Sequence, residues 1–368
     1  MAPRRQNRQY DIVVLGATGY TGQLTVEHIA SSLPTTLKWA VAGRSEAKLQ
    51  AVVEDCKQYN ADRAPPGIEI ADIGDEEGLK ALALKTKVLL STVGPYCKYG
   101  EKVFKVCAEA GTHYFDVTGE VVWVSSMIKK GAPSGGTLAT VLGLFDVFSS
   151  SELRAAFSPY ALSPTPHTEK PDRQSLPLVH ALFGSHYDAY LGRLTSSLAD
   201  TTDGAIVERT WGLLPEIPSR KAEFYGDKFV WKQYLRVDSW FQGFFVHWGL
   251  LWATVALALL PPVRGLLKSL VTQPGGGSDR QARAKERLEY WGIAVPDDEE
   301  TTKKAFVKAR YDGSAYVLTG ILLAEAAATV LQDDVKLDGG VYTPACLGQA
   351  FIDRLDDAGF HFEVETVD

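Results

Sequence analysis

The stretch Asp11–Gly22, DIVVLGATGYTG, decides the fold of the chain around it. An apolar run over Ile12–Leu15 predicts a buried strand, and a helical pattern over Tyr20–Ala30 predicts a helix after it. Between strand and helix, glycines recur at intervals of three residues: Gly16, Gly19 and Gly22. A strand, a glycine turn and a helix in this order are typical of a phosphate site, because free N–H groups at the helix N-terminus point at the anion.

Each glycine would have its own task if the turn held the diphosphate of a dinucleotide. The first allows the tight turn, the second lets the backbone approach a phosphate, and the third lets helix and strand pack closely. The predicted binding residues are those of the turn itself: Gly16, Ala17, Thr18, Gly19, Tyr20, Thr21 and Gly22. The alternative is a glycine-rich turn in an ordinary α/β unit, but the flanking strand and helix favour the nucleotide site.

Beyond the first helix, KWAVAG (Lys38–Gly43) predicts a second strand, and Arg44 and Lys48 follow it. In a dinucleotide-binding fold this strand ends near the adenosine ribose, where an NAD site uses Asp or Glu. A guanidinium and an ammonium group suit a 2′-phosphate instead, so the sequence predicts NADP rather than NAD. The alternative is that Arg44 is a solvated residue at a helix start, although a cation there opposes the helix dipole.

Three more runs predict the remaining strands of this domain: Ile68–Ile73, Val88–Val93 and Thr112–Val117. Asp72 lies at the end of the first and would approach the adenine, or else it caps the next helix. Val93, Gly94 and Pro95 end the second, at the sheet edge where a nicotinamide should lie. Strands that alternate with helices predict an α/β fold with a doubly wound parallel sheet.

Four segments within Asp11–Met127 resemble the saccharopine dehydrogenase-like oxidoreductases, a family that includes trans-acting enoyl reductases. They are GATGYTG, AGRS, STVGPY and GTHYFDVTGE. SGGTLATV (Ser134–Val141), SPYALSP (Ser158–Pro164) and DGGVYTPACLG (Asp338–Gly348) extend the resemblance. It implies a Rossmann-like domain, NAD(P) binding and oxidoreductase chemistry. Reduction of an enoyl group in a lipid or polyketide acyl thioester would fit this family.

Tyr96 is the predicted catalytic residue, because it follows the turn where the nicotinamide should lie. Its hydroxyl would protonate the α-carbon of an enoyl thioester or hydrogen-bond the thioester carbonyl. The alternative is that Tyr96 packs against the cofactor. Asp116 and Glu120 follow the fifth strand and would either bind a polar group or cap the turn. No metal site is predicted.

The chain departs from the family after Glu120. Family members carry several dozen residues between the segments that correspond to Glu120–Trp123 and Ser134–Thr137, whereas Ile128–Pro133 bridges them here. A strand and a helix beside the nicotinamide would then be absent, which bears on turnover more than on cofactor binding. The alternatives to an active enzyme are a dinucleotide-binding scaffold at a lipid surface and a truncated pseudoenzyme.

The length of 368 residues indicates two domains, and a net charge of −7 gives no basic footprint for nucleic acid. Four cysteines lack the spacing of a zinc site or a disulfide framework, and no apolar N-terminal segment predicts a signal peptide. We expect an intracellular protein with a small-molecule or acyl-thioester substrate, and leave a homo-oligomer open.

Trp240–Leu260, WFQGFFVHWGLLWATVALALL, contains no Asp, Glu, Lys or Arg. As a helix it would be about 30 Å long, and aromatic residues crowd its first half. After Pro261 and Pro262, Val263–Val271 predicts a second apolar helix, and a basic run follows. A buried core helix, a single membrane span and a monotopic hairpin all compete. The hairpin is favoured, since one crossing would separate the C-terminal segment from the first domain.

The predicted lipid surface therefore covers 240–271, on a lipid droplet or the endoplasmic reticulum. The predicted domains are a Rossmann-like domain over 1–130, a smaller α+β domain over 131–239, the membrane-associating hairpin over 240–275, and 276–368. That last segment would complete the second domain, and its C-terminal helix would pack back on the first domain.

The remaining predicted elements are helices at Leu138–Phe148, Leu318–Leu331 and Pro344–Ala358, strands at Thr202–Trp211, Phe224–Val237 and Phe360–Val364, and a segment at Lys304–Tyr311 that is either a strand or a helix.

Overall fold

The computed structural model describes residues 8–130, 149–167, 182–259, 285–298 and 301–368. The strands are β1 (Tyr10–Leu15), β2 (Trp39–Gly43), β3 (Gly67–Ile70), β4 (Thr86–Ser91), β5 (His113–Asp116), β6 (Ser185–Asp188), β7 (Gly192–Ser196), β8 (Tyr234–Arg236), β9 (Leu288–Ala294), β10 (Lys304–Tyr311) and β11 (Phe360–Val367). The helices are α1 (Tyr20–Ser32), α2 (Glu46–Cys56), α3 (Glu76–Lys85), α4 (Tyr96–Ala110), α5 (Val121–Lys130), α6 (Ser150–Ala156), α7 (Asp200–Leu213), α8 (Trp240–Leu259), α9 (Ala315–Gln332) and α10 (Gln349–Asp357).

The first five strands form one parallel sheet in the order β3-β2-β1-β4-β5. The chain moves outward from β1 to β3, then returns to the other side of β1 to add β4 and β5. This reversal leaves a crevice at the carboxyl ends of β1 and β4, which is where ligands bind in open α/β sheets. The predicted α/β, Rossmann-like, doubly wound sheet is confirmed.

The sheet is buried on both faces, because β1 alternates its side chains between two apolar clusters. Ile12 and Val14 pack with residues of α1, α2 and α9, whereas Val13 and Leu15 pack with residues of α3 and α4. All four are at most 1% exposed. A parallel strand covered on both faces has this continuous apolar sequence, which is why DIVVL predicts it so clearly.

Helix α9 lies directly on α1. A Cβ atom added at Gly320 would come within 2.8 Å of the Leu24 carbonyl carbon, so the two helix backbones are in close contact there. Within the described ranges, α9 satisfies the length and hydropathy criteria for a membrane span, but 56% of that window is buried. Leu323, Ala324 and Ala327 belong to the sheet's core, which makes α9 a core helix of a folded domain.

The chain divides into two compact units, the first comprising 1–148, 272–288 and 311–361, the second 149–271, 289–310 and 362–368. The second unit contains the antiparallel sheet β6-β7-β8 and most of a three-stranded sheet in the order β11-β10-β9. The segment Lys304–Tyr311, which the sequence left as strand or helix, is strand β10.

One predicted strand is wrong, because Thr202–Trp211 lies within helix α7. Its Thr, Ile and Val residues favour strands only weakly, and tertiary contacts override such preferences. Asp200 and Asp203 in the first turn suit the helix dipole, and Trp211 is buried on the inner face. The predicted strand over Phe224–Val237 is reduced to β8 at its end.

The predicted helix at Trp240 is confirmed as α8, and its described part ends at Leu259. The predicted helices at Leu138–Phe148 and Val263–Val271 lie outside the described residues. The segment Pro344–Ala358 divides into a short 3-10 turn, Pro344–Leu347, and helix α10, because Gly348 adopts a φ of 74° between them.

Candidate cofactor and active site

The glycine turn between β1 and α1 is closely packed. Gly16 has a φ of +86°, and a Cβ atom there would lie 2.7 Å from Thr92 Oγ1 and 2.8 Å from Val93 Cγ2. A Cβ atom at Gly22 would lie 2.2 Å from the carbonyl oxygen of Gly16. Only glycine fits at either position without displacing backbone or neighbouring side chains. The turn therefore keeps its backbone open, as a bound diphosphate requires.

The first turn of α1 has no anion of its own. Gly19 is its N-cap residue and supplies no side-chain hydrogen bond, and the first turn contains no acidic residue. Helix α2 differs, because Ser45 caps it and Glu46 lies in its first turn. The N-terminal N–H groups of α1 are thus suited to an external phosphate. Ala17, Thr18, Tyr20 and Thr21 lie in or beside this turn.

Arg44 and Lys48 lie at the carboxyl end of β2 with exposed side chains. The hydroxyl of Ser45 accepts from the backbone N–H of Lys48 at 3.5 Å, which fixes the start of α2 just after Arg44. Among the described residues, neither cation forms an ion pair. Two cations on the same sheet edge as the glycine turn fit a 2′-phosphate, and their contact with it stays a prediction.

Asp72 forms a turn of its own. Its Oδ1 accepts from the Gly74 N–H at 2.7 Å, and the capping of α3 belongs to Asp75, whose carboxylate accepts from the Gly78 N–H at 3.1 Å. The helix-cap alternative for Asp72 is therefore wrong. Its predicted place near the adenine stays a prediction.

The turn at Val93, Gly94 and Pro95 lies beside the glycine turn, since Val93 is the neighbour that limits space at Gly16. Thr92 Oγ1 donates to the Leu15 carbonyl at 3.0 Å and ties the ends of β4 and β1 together. Two separate sequence segments thus meet at the crevice. Helix α4 starts at Tyr96, directly after this turn.

Tyr96, the first residue of α4, is buried, with 4% of its surface exposed. Its hydroxyl donates to the Ser91 carbonyl at 2.8 Å, and its ring packs on Trp123 with centroids 5.9 Å apart. Burial is the main reason that the pKa of Tyr96 is raised, and the charge of Asp116 adds to it. These contacts are all within the domain, so the catalytic role of Tyr96 and its alternative, packing against the cofactor, both stay predictions.

Glu120 is fully buried and accepts two backbone hydrogen bonds at the N-terminus of α4. The N–H of Tyr96 donates to Oε1 at 2.6 Å, and the N–H of Cys97 donates to Oε2 at 2.7 Å. Of the two roles that the sequence left open for Glu120, capping is the one seen. Burial, helped by hydrogen bonding to Glu120, raises the pKa of the Cys97 thiol to about 12, so this thiol stays neutral.

Asp116 ends β5 and is the register partner of Ser91 on β4. Its Oδ1 accepts from the Thr118 N–H at 3.3 Å. Burial raises the pKa of Asp116 to about 7, although the Tyr114 hydroxyl and the Thr118 N–H favour the charged form and offset part of this effect. The sequence named Asp116 but missed Ser91, Tyr114 and Thr118. Ser91 could have been identified from the sequence, because it is a polar residue at the end of the apolar strand segment VLL.

Together these features define a dinucleotide-binding α/β domain whose glycine turn lies at the strand-order reversal. Residues 12–171 match the family model for the saccharopine dehydrogenase NADP binding domain. The resemblance found in the sequence is thereby confirmed over residues 12–171, which are similar to the NADP-binding domain of this family.

Curated relatives agree with this assignment. A putative trans-acting enoyl reductase of Mycobacterium tuberculosis is 29% identical over 96% of each chain. A trans-acting enoyl reductase from the same species is 38% identical over 39% of this chain and 34% of its own. A lipid droplet localized protein of Caenorhabditis elegans is 40% identical over 33% of this chain and 29% of its own. These matches support an NAD(P)-dependent oxidoreductase.

Among solved structures, an NADPH-dependent quinone oxidoreductase of Escherichia coli is 23% identical, with a TM-score of 0.23 over 29% of this chain and 34% of that one. Triphenylmethane reductase of Citrobacter is 22% identical, with a TM-score of 0.25 over 30% of this chain and 37% of that one.

Proposed function

We propose that this chain is an NADPH-dependent reductase that acts on the carbon–carbon double bond of an acyl thioester. The observation that carries the proposal is the contact between Gly16 and Val93. It brings the diphosphate turn and the end of β4 to one crevice, where a bound dinucleotide would run from the turn to the β4–β5 edge. The names of the enoyl reductase relatives support the choice of substrate.

In this proposal the chain's own residues bind and orient the cofactor. The turn from Gly16 to Gly22 holds the diphosphate, Arg44 and Lys48 hold the 2′-phosphate, and Asp72 lies on the adenine side. Val93, Gly94 and Pro95 border the nicotinamide, which supplies a hydride when the cofactor is bound. Glycine at positions 16 and 22 fits this group, because a side chain at either would displace the backbone or the neighbouring side chains that shape the turn.

Tyr96 acts in this proposal as a positioning residue. Its hydroxyl is committed to the Ser91 carbonyl, and its ring fills the space between β4 and Trp123. The ring thereby fixes the end of β4, and with it the turn that would border the nicotinamide.

The test is consumption of NADPH by the full chain, followed at the nicotinamide absorbance band, with trans-2-enoyl-CoA thioesters of short and long chain. We expect loss of NADPH in step with formation of the saturated thioester. Saturable NADPH binding without turnover of any enoyl or carbonyl substrate would instead favour the scaffold or pseudoenzyme.

The alignment with the relative that is 29% identical spans 429 positions, which exceeds this chain's 368 residues. That relative therefore has residues which this chain lacks. We place the deletion between Glu120 and Ser134, which makes this outcome a real alternative.

We also propose that the enzyme works at a lipid surface through α8. One side of α8 is held by the second unit's sheet, where Thr195 Oγ1 donates to the Gly243 carbonyl at 2.9 Å and Ser196 Oγ lies 2.8 Å from His247 Nδ1. The opposite side exposes a stripe of large apolar side chains: Phe241 at 57%, Phe245 at 69% and Trp252 at 64%.

A lipid surface is the occupant that fits this stripe, because α8 has no charged residue and Trp and Phe prefer the membrane interface. The name of the lipid droplet relative supports the same choice.

The test is flotation in a density gradient. We expect the full chain to float with phosphatidylcholine vesicles, and more strongly with phosphatidylserine present. The double variant Phe245→Ser and Trp252→Ser should stay at the bottom of the gradient. Tyr187→Ser, at a position 69% exposed on β6, is the matched control and should float. Flotation of the double variant would contradict the proposal.

A further inference from the structure

Four polar oxygens at the carboxyl ends of β4 and β5 have no hydrogen-bond partner within 3.5 Å among the described residues: Ser91 Oγ, Tyr114 Oη, Asp116 Oδ2 and Thr118 Oγ1. Ser91 and Asp116 are register partners on adjacent parallel strands, so both side chains leave the sheet on the same face. Ser91 is only 1% exposed and Thr118 only 4%. Buried polar atoms are nearly always paired in native proteins, so unpaired oxygens on the neighbouring residues Ser91 and Asp116 indicate a place where a polar group binds.

The groups that act electrostatically on Asp116 are all acidic or neutral. They are Tyr114 on its own strand, Tyr96 on α4 and Glu120 after β5. Burial raises the pKa of both tyrosines, so their hydroxyl groups are uncharged near neutral pH. In the described part of the chain, no cation contributes to the titration of Asp116, and its pKa of about 7 makes its charge variable under ordinary conditions.

We propose that Asp116 makes the cofactor site sensitive to the oxidation state of the nicotinamide, so that loss of its proton favours NADP⁺ over NADPH. This inference rests on the proposed function in one respect, namely that the nicotinamide lies at the ends of β4 and β5.

The physical reason is the charge on the nicotinamide ring. The ring carries one positive charge in NADP⁺ and none in NADPH, while the diphosphate and the 2′-phosphate are the same in both. A carboxylate near the ring attracts the cationic form, and the attraction is strong because the cluster is shielded from water. A protonated carboxyl group discriminates far less. Binding and protonation are therefore linked, and NADP⁺ should release part of a proton from Asp116 that NADPH does not release.

The experiment compares dissociation constants of NADP⁺ and NADPH for the full chain at pH 6 and at pH 8. The ratio of the two constants is the useful quantity, because titration of the shared phosphates cancels in it. We expect the ratio to shift about fivefold toward NADP⁺ from pH 6 to pH 8, which corresponds to a fall of one unit in the pKa of Asp116, from about 7, on binding of NADP⁺. Asp116→Asn should bind both nucleotides with a ratio that does not change with pH. Asp11→Asn, at the opposite end of the sheet, is the matched control and should behave like the wild type.

A second measurement needs no variant. Calorimetric titration of the wild type at pH 7, in two buffers of different ionisation enthalpy, gives the protons released on binding. We expect release with NADP⁺ in excess of that with NADPH. A flat ratio in the wild type, a shift that persists in Asp116→Asn, or equal proton release would each overturn the inference.

Failure of the proposed function is distinguishable from failure of this inference. If both nucleotides bind with the expected shift but no enoyl thioester is reduced, the function falls and the inference stands. If the thioester is reduced but the ratio is flat, the inference alone falls. If neither nucleotide binds, both fall.

Discussion

The carboxylate of Glu120 accepts the backbone N–H of Tyr96 at 2.6 Å, at the first residue of α4. The N-terminus of α4 lies next to the end of β4. The positive end of its helix dipole already has an anionic partner from the chain itself, the Glu120 carboxylate. The N-terminus of α1 has no such partner. The contrast makes the N-terminus of α1 better suited to an external phosphate than the N-terminus of α4.

Removal of that internal anion should destabilise the first unit. Glu120→Ala leaves the N–H groups of Tyr96 and Cys97 buried without an acceptor, which should lower the free energy of unfolding by about 3 kcal/mol. Urea unfolding followed by circular dichroism measures the effect. Asp75→Ala removes an exposed cap from α3 and should cost only about 1 kcal/mol. Equal losses for the two variants would contradict the buried role of Glu120.

The glycine turn should not tolerate even one added methyl group at Gly22. A Cβ atom 2.2 Å from the Gly16 carbonyl must displace backbone, so Gly22→Ala should cost about 2–3 kcal/mol of stability and weaken NADPH binding at least about tenfold. Gly249→Ala is the control, because a Cβ atom there has no neighbour within 4 Å, and it should bind NADPH normally. Unchanged NADPH affinity in Gly22→Ala would show that the turn is not the diphosphate site.

The contact of α9 with α1 includes a buried hydrogen bond of Glu325, which also forms an ion pair with α10. Glu325 Oε1 lies 2.7 Å from His28 Nε2, and its other oxygen lies 3.8 Å from a nitrogen of Arg354. Because the Glu325 side chain is only 8% exposed, Glu325→Ala should cost about 3 kcal/mol in urea unfolding. The exposed pair of Glu54 and Lys57 is a matched comparison, and Glu54→Ala should cost only about 0.3 kcal/mol. A loss below about 1 kcal/mol for Glu325→Ala would argue against these buried contacts.

The raised pKa of Asp116 predicts a pH dependence of stability with a definite sign. Burial moves this pKa from about 3.9 in an unfolded chain to about 7 in the folded one, so the folded state binds more protons between these values. The stabilising contribution of Asp116 is therefore present below about pH 4 and is lost as the pH rises through about 7.

Asp116→Asn removes this titration, because an amide stays neutral. Relative to the wild type, the variant should gain about 2–3 kcal/mol of stability between pH 5 and pH 8, which is the part of the Asp116 titration difference that falls in this interval. Unfolding curves of both proteins at the two pH values test this. A difference in unfolding free energy that does not change with pH would mean that Asp116 titrates normally.

The first sheet could be predicted from the sequence because its three central strands, β2, β1 and β4, are buried on both faces. Runs such as DIVVL and VLLS have no other simple interpretation, and Gly16, Gly19 and Gly22 fix the turn between strand and helix. The region Thr202–Trp211 was misassigned for the opposite reason, since its mixed composition suits either element and contacts within the second unit decide for α7.

The candidate site divides in a similar way. Backbone-determined features such as the glycine turn follow from local sequence. The partnership of Glu120 with Tyr96, twenty-four residues apart, does not, because it depends on how β5 and α4 are placed by the sheet. Likewise, Ser91 and Asp116 become neighbours only through the pairing of β4 with β5, which no local pattern specifies.

The central claim is that the crevice binds NADP through the glycine turn and Arg44. The most direct test is titration of the full chain with NADPH and with NADH, for the wild type, Arg44→Ala and the control Lys57→Ala at the far end of α2. The account predicts saturable binding that favours NADPH. Arg44→Ala should lose about tenfold or more of NADPH affinity and little of NADH affinity, and the control should match the wild type. No saturable complex, or equal loss for both nucleotides in Arg44→Ala, would contradict it.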